Sequence, residues 1–218
     1  MATETALEAA PDPKATLSRV DAKLRTRSRI RSAAVALFRE EGFDNVTTAQ
    51  IAASVGVTQR TLFRHFRTKD AILFDDDGLV ELFEATLGRN LAQHPPHEAI
   101  RCTIREMGAI YDRHAALFRA LHAVIIQSPM LRAFARERTA RIDDLVAWGL
   151  EGHEAFHDRA GPADVSSQAT AAALMGAVRV VTDAWLEERM PGTMVTLCDR
   201  SWAAFAPILD CKVRLSVP

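Results

Sequence analysis

The chain has 218 residues, of which 48% are hydrophobic and 25% charged, with a formal net charge of -1 and three cysteines. That apolar content fills one good core or two smaller ones. Residues 1–13 are acidic and lack the apolar centre of a secretory signal, and no apolar run stands out as a bilayer span, so a cytoplasmic protein with no membrane partner is expected.

Charge is unevenly distributed. Residues 14–69 hold twelve Lys or Arg against four Asp or Glu, whereas residues 70–218 hold fifteen against twenty-one. A basic head therefore sits on an acidic body. A basic segment attracts phosphate through counterion release, and an acidic remainder keeps off it. The switch near residue 70 also argues for two units, a head over 21–68 and a body over 69–218, preceded by a disordered or partly ordered tail over residues 1–20.

The first helix is expected over Asp21 to Glu41, with Ile30, Ala33, Ala34, Leu37 and Phe38 forming an apolar stripe. Lys23, Arg25, Arg27 and Arg29 open it as a basic arm or a solvated face. Next, Thr47 and Thr48 supply hydroxyls that cap a short helix whose inward residues are Ile51, Ala52 and Val55. Gly56 ends that helix. Thr58 caps a second one, in which Leu62 and Phe66 turn inward while Gln59, Arg60, Thr61 and Arg64 stay outside. Two short helices at this spacing form a helix-turn-helix. Its outward side chains suit a major groove, where Arg pairs with guanine, Gln with adenine, and a Thr methyl touches thymine. An ordinary helical hairpin with a charged face is the alternative.

Three strings, AAVALFREEGFDNVTT, IAASVGV and RTLFRHFRTKDAIL, resemble the DNA-binding domain of the tetracycline-repressor (TetR) family of bacterial transcriptional regulators over about Arg25 to Leu73. The last string carries most of the resemblance, through the register T-L-F/Y-x-H-F-x-x-K-x-x-L. It implies an all-α homodimer of about nine helices. The amino-terminal domain would bind a palindromic double-stranded operator, most often as a repressor, and the carboxy-terminal domain would bind a small-molecule effector that releases the DNA. The resemblance also places Thr48, Thr58, His65 and Lys69 against phosphates. Phe63 stands where many members have a Tyr whose hydroxyl touches a phosphate, so that contact is lost and the ring is expected to pack. Arg60 stands where Gly is frequent, adding a guanidinium fork for guanine or, alternatively, for phosphate.

A fourth helix is expected from Thr68 through Leu91, bent near residues 75–78 and stopped by Pro95 and Pro96. Later helices are expected over His97 to Arg113, Ala115 to Gln127, Pro129 to His157, Ala163 to Met190 and Thr193 to Leu209. Phe83, Met107, Tyr111, Phe118, His122 and Trp148 fall where the family keeps its effector cavity, with Tyr111 and His122 as polar anchors for a largely apolar ligand; plain core packing is the alternative for each. Small residues recur on the penultimate helix. The resemblance makes Ala172, Gly176 and Val180, with Trp202, Phe205 and Leu209, the dimer contact; packing within one chain is the alternative.

His153-Glu154-Ala155-Phe156-His157 spells H-E-x-x-H, which puts two imidazoles on one helix face as zinc hydrolases require. Its place beside Gly161 and Pro162 reads instead as a solvated helix end, with no metal, no cofactor and no enzyme activity expected. A helical ligand- or metal-binding protein with a vestigial DNA head is the competing functional reading. Cys102, Cys198 and Cys211 form no close pair and read as free thiols, Cys211 beside Lys212 being the best placed for redox chemistry.

Overall fold

The computed structural model describes residues 13–74 and 78–210, and the side chains of 25–74 and 78–205. Every described element is α-helical: α1 (Pro13–Glu41), α2 (Thr48–Ser54), α3 (Gln59–His65), α4 (Ala71–Phe74), α5 (Gly78–Leu91), α6 (Pro96–Arg113), α7 (Ala115–Ile125), α8 (Pro129–Glu151), α9 (His153–His157), α10 (Val165–Leu186) and α11 (Met194–Asp210). Helix α1 starts at Pro13, ahead of the expected start at Asp21. Two compact units divide between Leu73 and Phe74, a few residues past the expected boundary.

In the amino-terminal unit the apolar stripe of α1 behaves as its spacing predicts. Ile30, Ala34 and Phe38 are fully buried, as are Ile51, Leu62 and Ile72 of the shorter helices and Phe66 just after α3. Each large side chain removed from water contributes roughly 1.5–3 kcal/mol before the entropy of ordering is counted. Isolated seven-residue helices such as α2 and α3 do not hold themselves in water. This shared core and their caps hold them here. The turn between them depends on Gly56, whose φ of +69° lies in the left-handed region that side chains with a Cβ avoid.

In the carboxy-terminal unit a continuous core joins α5, α6, α8, α10 and α11, with Val80, Leu87, Ile100, Ile104, Val146, Leu174, Trp185 and Leu197 among its members. Helix α8 approaches α5 closely at Gly149, where an added Cβ would stand 3.1 Å from a Leu87 methyl. The helix expected over Pro129 to His157 is two helices. Gly152, with φ +109° and ψ 179°, breaks it and starts the five-residue α9. Residues 75–77, where a bend was expected, lie outside the described residues, as do Cys211 and the side chains of Lys23 and Leu209.

One expectation fails on composition. Helix α10 is long and apolar enough to cross a bilayer, with a mean hydropathy of 1.2 over its best window. Its inner face, Ala171, Leu174, Met175, Ala184 and Trp185, belongs to the core, and Arg179 is bonded to Asp143 of α8. The remaining apolar surface faces outward as Val165, Ala169, Ala172, Ala173 and Val180.

Candidate functional site

The outward surface of α2 and α3 is assembled by threonines. Thr47 is the N-cap of α2: its hydroxyl accepts from the Gln50 backbone N–H at 3.2 Å, and its own N–H donates to Gln50 Oε1 at 2.7 Å, which completes a capping box. Thr58 caps α3 by accepting from the Thr61 N–H at 3.2 Å, and the Thr58 and Thr61 hydroxyls lie 3.0 Å apart. Gln59 Nε2 donates to Thr48 Oγ1 at 3.1 Å and so bridges the two helices. Of the expected reading residues, Thr47, Thr48, Thr58, Gln59 and Thr61 thus carry structural bonds as well as surface exposure.

Arg60 and Arg64 are different. Both are exposed on the outer side of α3, and neither has an ion-pair or hydrogen-bond partner among the described residues. Phe63 stands beside them with 46% of its surface exposed, which corrects the expectation that its ring packs. With 3.6 residues per turn, positions 60, 63 and 64 lie opposite the buried Leu62 and His65.

Two expected phosphate contacts, His65 and Lys69, need correction, and so does the basic arm. His65 is 7% exposed because its position on α3 turns it into the head's core. Lys69 points back into the fold: its ammonium donates to the carbonyl oxygens of Phe43 at 2.8 Å and Val46 at 3.0 Å, and sits 4.3 Å from the Phe43 ring centroid. The basic arm is largely a clamp. Arg27 donates to the His65 carbonyl and lies 4.4 Å from the Phe66 ring centroid, Arg29 donates to the Val55 carbonyl at 3.0 Å, and Arg31 donates to the Ile72 carbonyl at 3.0 Å. These arginines donate to backbone carbonyls in or just after the short helices α2, α3 and α4. Arg25 remains exposed on α1. Nothing in the residue pattern separates clamping arginines from outward ones, because both occur on a helix that is basic on several sides.

The effector candidates also divide. Phe83 and Met107 are buried core residues at 3% and 8% exposure, so close packing leaves them almost no free surface for a ligand. Trp148 is half-buried against the same core. Tyr111 and Phe118 stack with ring centroids 4.1 Å apart and planes 10° from parallel. Burial raises the Tyr111 phenol above its ordinary value of 10, which keeps it a neutral donor. His122 Nε2 lies 3.4 Å from Glu187 Oε1. Helix α7 buries only Val124 fully, while Phe118, Leu121, His122 and Ile125 stay half-buried. It is the least tightly packed of the longer helices around Tyr111.

Of the dimer candidates, Val180 is 70% exposed, Ala172 is exposed and Gly176 half-buried, whereas Trp202 and Phe205 pack against the chain's own core. The last two are half-buried, each leaving part of its ring at the surface. The H-E-x-x-H imidazoles do meet, with ring centroids 4.5 Å apart, yet no group of three metal-ligating side chains occurs among the described residues. The two described thiols are held protonated. Burial, reinforced by Asp199 and Asp112, pushes Cys198 up to about 12, and burial beside Glu98 raises Cys102.

Known proteins are similar to this chain. Residues 30–75 match the model of bacterial regulatory proteins of the tetR family, and residues 94–210 match that of the MftR C-terminal domain. A putative mycofactocin biosynthesis transcriptional regulator from Mycobacterium tuberculosis is 25% identical over 178 residues, covering 81% of this chain and 85% of the relative. A nucleoid occlusion factor from Vibrio cholerae is 30% identical over 145 residues, covering 63% of this chain and 71% of the relative. Among solved structures, the Thermus thermophilus repressor FadR in complex with lauroyl-CoA superposes with a TM-score of 0.56 at 22% identity, covering 88% of this chain and 97% of that one. The Stenotrophomonas maltophilia efflux-pump repressor SmeT gives 0.55 at 20% identity, covering 82% and 89%. With a capped helix-turn-helix at its head and these matches along both units, the chain belongs to the tetR family of bacterial transcriptional regulators.

Proposed function

We propose that the protein is a cytoplasmic repressor that binds a palindromic operator as a homodimer and is released by a small, largely apolar effector. The observation that carries this reading is the division of labour on α3. Thr58 and Thr61 are bonded to each other and Gln59 to Thr48 of α2, whereas Arg60 and Arg64 project toward solvent with no partner among the described residues. A rigid helix with free guanidinium groups has the form that bidentate reading of guanine requires. One short helix covers few base pairs, so useful specificity calls for two half-sites and hence two protomers.

The outward face of α10 supports the dimer. A row of Ala and Val that ends at Val180 is apolar surface that an isolated chain leaves wet. The loosely packed α7, with the neutral Tyr111 phenol and the His122–Glu187 pair nearby, supports an effector that is apolar with one or two polar anchors. The lauroyl-CoA held by the Thermus regulator has an apolar chain of that kind. Release requires the effector to favour a protomer arrangement unsuited to the operator, since a ligand indifferent to both states shifts nothing.

Selection of binders from a random duplex library at near-physiological salt tests the reading, because lower salt lets non-specific phosphate attraction mask sequence preference. Enrichment of a palindrome is the expected result. Folded, dimeric protein that enriches no sequence would sink the operator-binding reading and leave the vestigial-head alternative.

A further inference from the structure

We propose that Phe63 reads the C5-methyl group of a thymine in each half-site, an inference that rests on the DNA-reading function proposed above. The ring is 46% exposed on a helix whose inner positions are already taken by Leu62 and His65. It has no stacking or cationic partner among the described residues. Its neighbours one turn back are Gln59, whose amide is held by Thr48, and Arg60, which is free. A phenyl group therefore stands in the middle of the outward face, beside two guanidiniums.

A hydroxyl here would be suited to a phosphate oxygen, but Phe offers neither donor nor acceptor. What it offers is apolar area. In the major groove the thymine methyl is the distinctive apolar feature of a base edge, and a phenyl ring is one of the side chains that meets it. Side chains at positions 60 and 63 stand about 5–6 Å apart at Cβ, and stacked bases rise about 3.4 Å per step, so the thymine lies within two base pairs of the guanine taken by Arg60.

The test uses the operator selected from the random library and the full-length protein. Deoxyuridine replaces each thymine near the Arg60-dependent guanine, a change that removes one methyl group and keeps every hydrogen bond. Wild-type protein is expected to lose about threefold or more in affinity per half-site at one such position. Phe63→Ala should be insensitive to the same replacement, and Phe63→Leu, which stays apolar, should keep part of the sensitivity. Unchanged thermal unfolding of the Ala variant excludes a folding defect. An enriched palindrome with no deoxyuridine-sensitive position, or with equal sensitivity in wild-type and Phe63→Ala protein, overturns the role of Phe63 while leaving operator binding intact. Uniform weakening of Phe63→Ala on all sequences would assign the ring to deoxyribose and overturn it equally. Absence of any enriched motif is instead the failure of the operator reading itself.

Discussion

Lys69 and Phe43 are joined twice: the lysine ammonium donates to the Phe43 carbonyl oxygen at 2.8 Å and lies 4.3 Å from the centroid of its ring. A second bond to the Val46 carbonyl makes this lysine a staple across the loop between α1 and α2. Lys69→Met is therefore expected to destabilise the amino-terminal unit by about 1–3 kcal/mol, since two carbonyls lose a charged donor. Thermal unfolding of the variant measures this. A variant that unfolds like wild type yet binds all DNA sequences more weakly would return Lys69 to the phosphate backbone.

Arg60 carries the base-reading prediction. Arg60→Ala should lower specific binding by ~1 to 3 kcal/mol and relax the preferred base at one position per half-site. Motif selection with the variant decides between base and backbone: an unchanged motif with uniformly weaker binding would make Arg60 a phosphate clamp.

The α10 face can be tested by charge. Val180 is 70% exposed, so Val180→Arg should leave the stability of one protomer nearly unchanged. Placed twice across a twofold contact, it sets like charges against each other in apolar surroundings. Light scattering should then find monomers at concentrations where wild type is dimeric. A dimeric variant would remove Val180 from the contact.

Asp164 caps α10, its carboxylate accepting from the backbone N–H of Ser166 at 2.8 Å and of Ser167 at 3.0 Å. Its Ser167 hydroxyl and backbone bonds hold the carboxyl below its ordinary value of 3.8. Because the folded value is the lower one, the contribution is present in full above about pH 3.8 and fades as pH falls through the folded value. Asp164→Ala should cost about 0.5–2 kcal/mol at neutral pH, as loss of an N-cap does. The gap between variant and wild type should narrow in acid. A gap independent of pH would mean that the charged cap is not its source.

Cys198, pushed up to about 12 by burial, should resist iodoacetamide at pH 8 until the carboxy-terminal unit unfolds. Peptide mapping of labelled protein checks this thiol by itself. Labelling of Cys198 in folded protein would contradict its placement against α6 and remove the argument against a redox role.

The order of elements was legible in the sequence because helices depend on local signals: the stripe of α1, the threonine caps, the glycine turn and the prolines that stop α5 are all written within a few residues. The break at Gly152 was harder to see, since a single glycine within a helical pattern also occurs in unbroken helices. The charge switch likewise located a basic head, but a count of charges carries no direction.

By itself, then, the sequence determined the class of fold, the helix-turn-helix and the outward position of Arg60 and Arg64, because 3.6-residue periodicity and capping act at short range. Only the tertiary structure decided which cations are free and which are spent. Arg27, Arg29, Arg31 and Lys69 meet carbonyls 23 to 41 residues away, His65 turns into a core built from three other helices, and Phe63 is left without a partner. Those outcomes depend on where distant segments pack, which no local pattern records.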